Sequence, residues 1–165
     1  MSASSLALSR DEGTLLMVGT HLPYKRSRFS TRLPADRLYA PSHAWLREES
    51  PGLWRVGFTK FATRILGEPV ELDFEVQRDA AVRVGETVGW VEGFKAVTDL
   101  FCPLPGQFAN PNPALEQDIA AIQSDPYGKG WLYAVAGTPP EDCVDANGYA
   151  GVLDAAIDKM LGKTL

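Results

Sequence analysis

The sequence predicts a mainly β fold with short helices and an amphipathic helix at its C-terminal end. Two observations carry this. From Leu38 onward the apolar residues fall in short runs broken by Gly and Pro, the texture of successive hairpins. Near the end, Tyr149, Val152, Leu153, Ala156, Ile157, Met160 and Leu161 recur at helical spacing, and Gly162 is placed to stop that helix.

The elements can be placed in order. Residues 1–38 show weak periodicity and read as an irregular extension with one short strand at Leu15–Val18, so the compact domain is expected over 39–165. Trp45–Leu46, Glu48–Gly52 and Leu53–Phe58 form two strands around a turn at Ser50, Pro51 and Gly52. Thr59 caps a short helix whose Phe61, Ile65 and Leu66 share one face, and Gly67 supplies the residue that ends it. Strands follow at Val70–Val76, Ala81–Val84 and Thr87–Val91, with Gly85 and Gly89 as bends, and another resumes at Ala96. Asn112-Pro113 starts a helix with Leu115, Ile119 and Ile122 on one face. A turn at Asp125–Gly130 leads to a closing strand at Trp131–Val135.

The 165 residues suit one core with appendages, and a composition of 45% hydrophobic and 22% charged residues is that of a globular chain. The net charge of −5 argues against general binding to nucleic acid or to an anionic membrane surface, which require a positive field. Charge is unevenly spread. Residues 1–38 hold six Lys/Arg against three Asp/Glu, and the remainder ten against eighteen. Lys25, Arg26, Arg28, Arg32 and Arg37 make that arm basic, able to meet an acidic partner or the acidic body. The run Leu15–Val18 is too short for a signal sequence and follows Asp11 and Glu12, and no run approaches a membrane span, so a cytoplasmic protein is expected. Cys102 and Cys143 are too few for a disulfide scaffold, and no Cys/His spacing fits a metal.

The segment Val88–Gly106 concentrates the chemistry. Val88, Trp90 and Val91 precede a break, Val97, Leu100 and Phe101 follow it, and Glu92, Gly93, Phe94 and Lys95 lie between. Gly93 tolerates a tight reversal, so Lys95 is expected at a hairpin tip with its amine projecting from the sheet. By itself this is only an exposed lysine.

Seven landmarks in order give it meaning: SHAWL at Ser42–Leu46, VGFTKFA at Val56–Ala62, LGEPV at Leu66–Val70, EGFKAVTD at Glu92–Asp99, PLPG at Pro103–Gly106, NPAL at Asn112–Leu115 and DPYGKGWL at Asp125–Leu132. Over Tyr39–Val135 the chain resembles the H protein of the glycine cleavage system. The resemblance implies a lipoyl-domain-like barrel-sandwich hybrid and lipoic acid in amide linkage to Lys95. Glu92, Gly93, Phe94 and Ala96 would form the hairpin tip that a lipoate-protein ligase recognises. The family motif usually reads Glu-Ser-Val-Lys-Ala, so Gly93 and Phe94 depart from it while Glu92, Lys95 and Ala96 match. A biotin carrier would have methionines beside the lysine, and none is present.

The implied chemistry belongs to the attached group. A five-membered ring disulfide cannot reach the roughly 90° dihedral an S–S bond prefers, so it opens readily by exchange or reduction. The protein would then be a carrier with no catalytic site, holding that sulfur pair at high effective concentration for its partners. The Gly93-Phe94 tip, the extension and QDIAAI at 117–122 are atypical of the glycine cleavage carrier, and a second branch resembles the H protein closely, the lipoate-binding proteins of bacterial sulfur oxidation. This branch is given precedence here, with a heterodisulfide-reductase-like complex as partner. The alternative is glycine cleavage, with the aminomethyl group as cargo and the glycine cleavage enzymes, dihydrolipoamide dehydrogenase among them, as partners. A monomer is expected, since the tip must stay clear. Two other classes stay open: a thiol redox enzyme using Cys102 or Cys143, and an unmodified interaction module.

Overall fold

The computed structural model describes residues 20–162, which group into two compact units: 20–38 with 144–162, and 39–143. The expected strand at Leu15–Val18 lies outside the described residues.

The first unit corrects the expectation of an irregular arm. From His21 the chain forms an antiparallel hairpin, β1 (His21–Arg26) and β2 (Phe29–Pro34). Leu22, Tyr24, Phe29 and Leu33 are buried, while Pro23, Lys25, Ser30 and Arg32 are exposed. This period-2 pattern gives the hairpin one apolar face. Ser27 takes φ 56° in the two-residue loop. The C-terminal helix α3 (Ala146–Met160), capped by Asp145 through the Gly148 N–H, packs on β1 with Tyr149, Leu153 and Ile157 buried. Polar links reinforce the contact: the Tyr24 hydroxyl donates to Asp154 at 2.8 Å, and the Arg26 guanidinium forks onto Asp158 at 2.7 and 2.8 Å.

In the second unit the chain enters through β3 (Leu38–Tyr39) and continues as the hairpin β4 (Ala44–Ser50) and β5 (Leu53–Phe58), turning at Pro51–Gly52 as expected. Helix α1 (Lys60–Leu66) follows, with the Thr59 side chain accepting from the Ala62 N–H. Its inner face is Phe61, Thr63 and Leu66; Ile65, expected inside, is 44% exposed. Then come β6 (Pro69–Phe74), β7 (Ala81–Val82), β8 (Thr87–Gly93) and β9 (Val97–Phe101). Gly89 falls at a register shift between β8 and β9, the irregularity its position promised. An unforeseen strand, β10 (Gly106–Pro111), precedes Asn112, and β11 (Tyr133–Gly137) closes the unit. The single helix expected from Asn112 is instead a 3-10 turn at Pro113–Glu116 and a separate short helix α2 (Ala121–Ser124). Asn112 does cap the first, accepting from the Ala114 N–H at 3.0 Å.

Two sheets result, one ordered β3-β4-β5-β11-β10-β7 and the other β6-β8-β9. Phe74 of β6 meets Phe108 of β10 and Tyr133 of β11 with ring centroids 5.7 and 5.9 Å away, joining the sheets through an aromatic core. The landmark segments are knit together. Trp45, 1% exposed, donates its indole N–H to Pro126 O at 2.9 Å, and the Lys60 N–H donates to the Tyr127 hydroxyl at 3.0 Å. The Asn112 amide donates to Lys129 O and Trp131 O at 2.8 and 2.7 Å. These bonds hold the start of α1, and α1 in turn holds the tip between β8 and β9.

Candidate functional site

Lys95 lies at the reversal between β8 and β9, exposed, as do Glu92 and Phe94; Gly93 is buried and Ala96 half-buried. The turn is closed by the Gly93 N–H donating to Ala96 O at 2.8 Å. More important is what the tip leans on. A helix of seven residues ends with carbonyls that have no partner inside it. Here Gly67, at φ 78°, returns its N–H to Thr63 O, and the tip supplies further donors: the Lys95 N–H donates to Leu66 O, and the Phe94 N–H to Glu68 O just beyond the helix, each at 3.0 Å. The hairpin tip therefore caps α1, and α1 fixes the tip.

The Lys95 ammonium adds a 3.2 Å bond to Arg64 O, a cation at the negative end of the helix. The fit leaves no room at Gly93. A Cβ there would strike Leu66 O and stand 2.7 Å from Leu66 Cγ. The sequence shows Gly93 as a turn residue; its tight apposition to the helix end at Leu66, distant along the chain, was not legible.

Around the pinned backbone the side chains are apolar and acidic. Phe94 is 75% exposed and Val97 67%. Across β6, β8 and β9 the register sets Glu92 between Glu71 and Val97, and Trp90 between Asp73 and Asp99. One rim of the tip thus carries four carboxylates. A cavity of about 340 Å³ opens next to Ala96, walled by Phe58, Ile65, Leu66 and Phe101, with His43 and Asp99 among its polar groups. Burial holds the His43 imidazole below its ordinary pKa, so it is neutral at pH 7, and its ring lies 4.7 Å from that of Phe61. A long, largely apolar chain attached at the Lys95 amine fits these surroundings: the amine is reachable, its base is rigid, and an apolar recess adjoins it.

The cysteines are placed elsewhere. Cys102 follows β9 at the end opposite the tip, about 20 Å along the strand from Ala96. It is buried and donates to Leu104 O at 3.2 Å, and burial raises its pKa. Burial and the Asp142 carboxylate push the Cys143 thiol up to about 11. Neither is an activated thiol, which removes the physical basis of a thiol redox site. His21, in β1, has its Nδ1 3.2 Å from the Thr20 hydroxyl. Among the described residues no group of His, Cys, Asp and Glu could hold a metal, and no helix is long and apolar enough to cross a membrane.

Comparison with known proteins agrees with this geometry. Residues 37–149 match the family model for the glycine cleavage H-protein. A glycine cleavage system H protein of Shewanella frigidimarina is 35% identical over 125 residues, covering 74% of this chain and 96% of the relative. One from Alteromonas mediterranea is 33% identical over 127 residues, covering 75% and 98%. The crystal structure of a glycine cleavage system H protein from Mycobacterium marinum superposes with a TM-score of 0.66 at 37% identity, covering 74% of this chain and 99% of that one. A matched segment that contains both sheets, the pinned tip and every landmark leaves one assignment: the chain belongs to the glycine cleavage H-protein family, carriers of covalently attached lipoate with no catalytic activity of their own.

Proposed function

We propose that Lys95 is the lipoylated residue and that the protein serves as the aminomethyl carrier of glycine cleavage. The observation that carries this is the tip itself: an exposed amine on a backbone anchored by hydrogen bonds to Leu66 O at the end of α1 and to Glu68 O just after it. Bound lipoate supplies a reducible sulfur pair to which a one-carbon fragment can be attached. The chain's own residues present it. The Leu66 and Glu68 carbonyls fix the origin of the arm, Glu92 and Phe94 form the exposed surface a ligase meets, and Ile65, Leu66, Ala96 and Phe101 offer an apolar wall that excludes water from the arm's length.

The glycine cleavage reading replaces the sulfur-oxidation branch given precedence from the sequence. The relatives and the solved structure that support membership bear glycine cleavage names. The Gly93 departure has a local cause in the close approach of Leu66 and needs no change of cargo. The partners are then a lipoylating enzyme, glycine decarboxylase, aminomethyltransferase and dihydrolipoamide dehydrogenase.

Intact mass tests the site. Incubation with lipoate, ATP and a lipoate-protein ligase is expected to add one lipoyl group to the wild type and none to Lys95→Arg. Addition to the variant, or none to the wild type with a competent ligase, overturns the assignment. Glycine-dependent turnover in a mixture reconstituted with the three enzymes tests the pathway. Full replacement of the wild type by Lys95→Arg in cells would favour an unmodified interaction module.

A further inference from the structure

The hairpin β1–β2 precedes the segment that the family model covers, and its two faces differ in chemistry. One face is buried against α3. On that side the cation is neutralised: Arg26 pairs with Asp154 and Asp158. Arg37, just beyond the hairpin, pairs with Asp36. The other face carries Lys25 and Arg32, with Arg28 in the adjoining turn. All three are exposed, and among the described residues no carboxylate pairs with any of them, although the chain has 21 acidic residues for 16 basic ones. Lys25 stands opposite Ser30 and Arg32 opposite Pro23, so the two cations are diagonal neighbours roughly 7–8 Å apart. An added element has thus concentrated unpaired positive charge on one face of an otherwise acidic protein.

We propose that this face docks on an acidic surface of one of the enzymes that turn over the lipoyl arm, a reading that rests on the glycine cleavage assignment. Protein is the class of partner that fits. Three cations are fewer than the six to ten phosphate contacts, or the four to eight basic residues, that roughly define nucleic-acid and anionic-lipid binders. Because hairpin and arm belong to one chain, engaging the hairpin raises the effective concentration of the arm at that enzyme. It adds to encounter rate and partner choice more than to the chemistry.

The test uses the full-length lipoylated protein and two variants of equal net charge, Arg28→Glu/Arg32→Glu on the hairpin and Arg78→Glu/Arg83→Glu in the carrier unit. Purified decarboxylase, aminomethyltransferase and dihydrolipoamide dehydrogenase from the same organism are each assayed at low and high salt. For one enzyme the hairpin variant is expected to raise KM for the carrier about tenfold at low salt with kcat unchanged, the difference fading at high salt. The other variant should stay within about twofold of the wild type. Lys25→Gln/Arg28→Gln/Arg32→Gln, which removes charge without reversing it, guards against misfolding of the first variant and should shift the same KM several-fold. Unchanged KM for all three enzymes overturns the proposal. So does self-association of the hairpin variants without a KM effect, which would make the cations guards of an exposed strand edge. If none of the enzymes turns over the wild type, the glycine cleavage reading itself fails and the docking proposal falls with it.

Discussion

Replacing Gly93 by Ser restores the residue usual in the family and, in this chain, should damage the tip. The added Cβ meets Leu66 O, a backbone atom that cannot rotate away, and approaches Leu66 Cγ and Cδ1 at 2.7 and 2.9 Å. Relief requires the end of α1 and the tip to separate. Overpacking of this kind costs about 1–3 kcal/mol. Separation also strains the Lys95 N–H bond to Leu66 O, whose net loss adds roughly 0.5–1.5 kcal/mol. A total of about 1.5–4.5 kcal/mol corresponds to a Tm lower by roughly 3–18 °C for a chain of this size. The neighbouring departure is the internal control. Phe94 is 75% exposed, so Phe94→Val should stay within about 0.5 kcal/mol of the wild type. Calorimetric unfolding of both variants, with their lipoylation rates followed by mass, makes the comparison. A Gly93→Ser protein melting within about 2 °C of the wild type would refute the claim that the tip is clamped against α1.

Two other outcomes follow from the site. Burial lowers the His43 pKa, so the unfolded chain binds a proton near pH 6.5 while the folded one resists it. The stability His43 supports is full above that value and declines as the pH falls toward the lowered pKa. His43 sits at φ 71°, which Asn tolerates; His43→Asn should therefore show a shallower loss of Tm between about pH 7.5 and 5.5, and parallel curves would refute the assignment. For the cysteines, labelling of the native protein by iodoacetamide at pH 8 should be slow and rise about a hundredfold or more on unfolding in urea. A Cys102→Ala/Cys143→Ala carrier should keep its turnover with the partner enzymes, whereas loss of turnover would revive a thiol role.

The sequence disclosed what depends on local pattern. The hairpin β4–β5, the Thr59 cap, the bend at Gly89, the helix α3 and the exposed lysine between β8 and β9 all follow from turn residues, capping residues or periodicity within a few positions. It hid what depends on distant neighbours. The basic arm conceals a period-2 strand pair because Pro23 is a poor strand residue, Arg26 puts a charge at an inward position and the loop at Ser27–Arg28 lacks Gly or Asn; the alternation of Leu22 and Tyr24, then Phe29, Thr31 and Leu33, was the signal available. Ile65 has helical phase with Phe61 but faces an open cavity, a space created by Thr98 and Phe101 from a later strand. The helix expected after Asn112 divides into a 3-10 turn and α2 although Asn112 caps it, and the Asn112 amide also ties the segment to Lys129 O and Trp131 O. At the site, Lys95 was legible from its turn and landmarks, while the clamp by Leu66 and Glu68 belongs to tertiary structure alone.

That clamp separates two jobs that a flexible loop would have to combine. With the backbone of residues 93–95 tied to a helix end, the tether's origin is a fixed pivot, and wandering is left to the freely rotating bonds beyond it. The volume the arm sweeps is then set by its length and by the walls around it, whatever cargo it holds. Recognition can be written into the stationary surface and reach into the leash, and either can change without retuning the other.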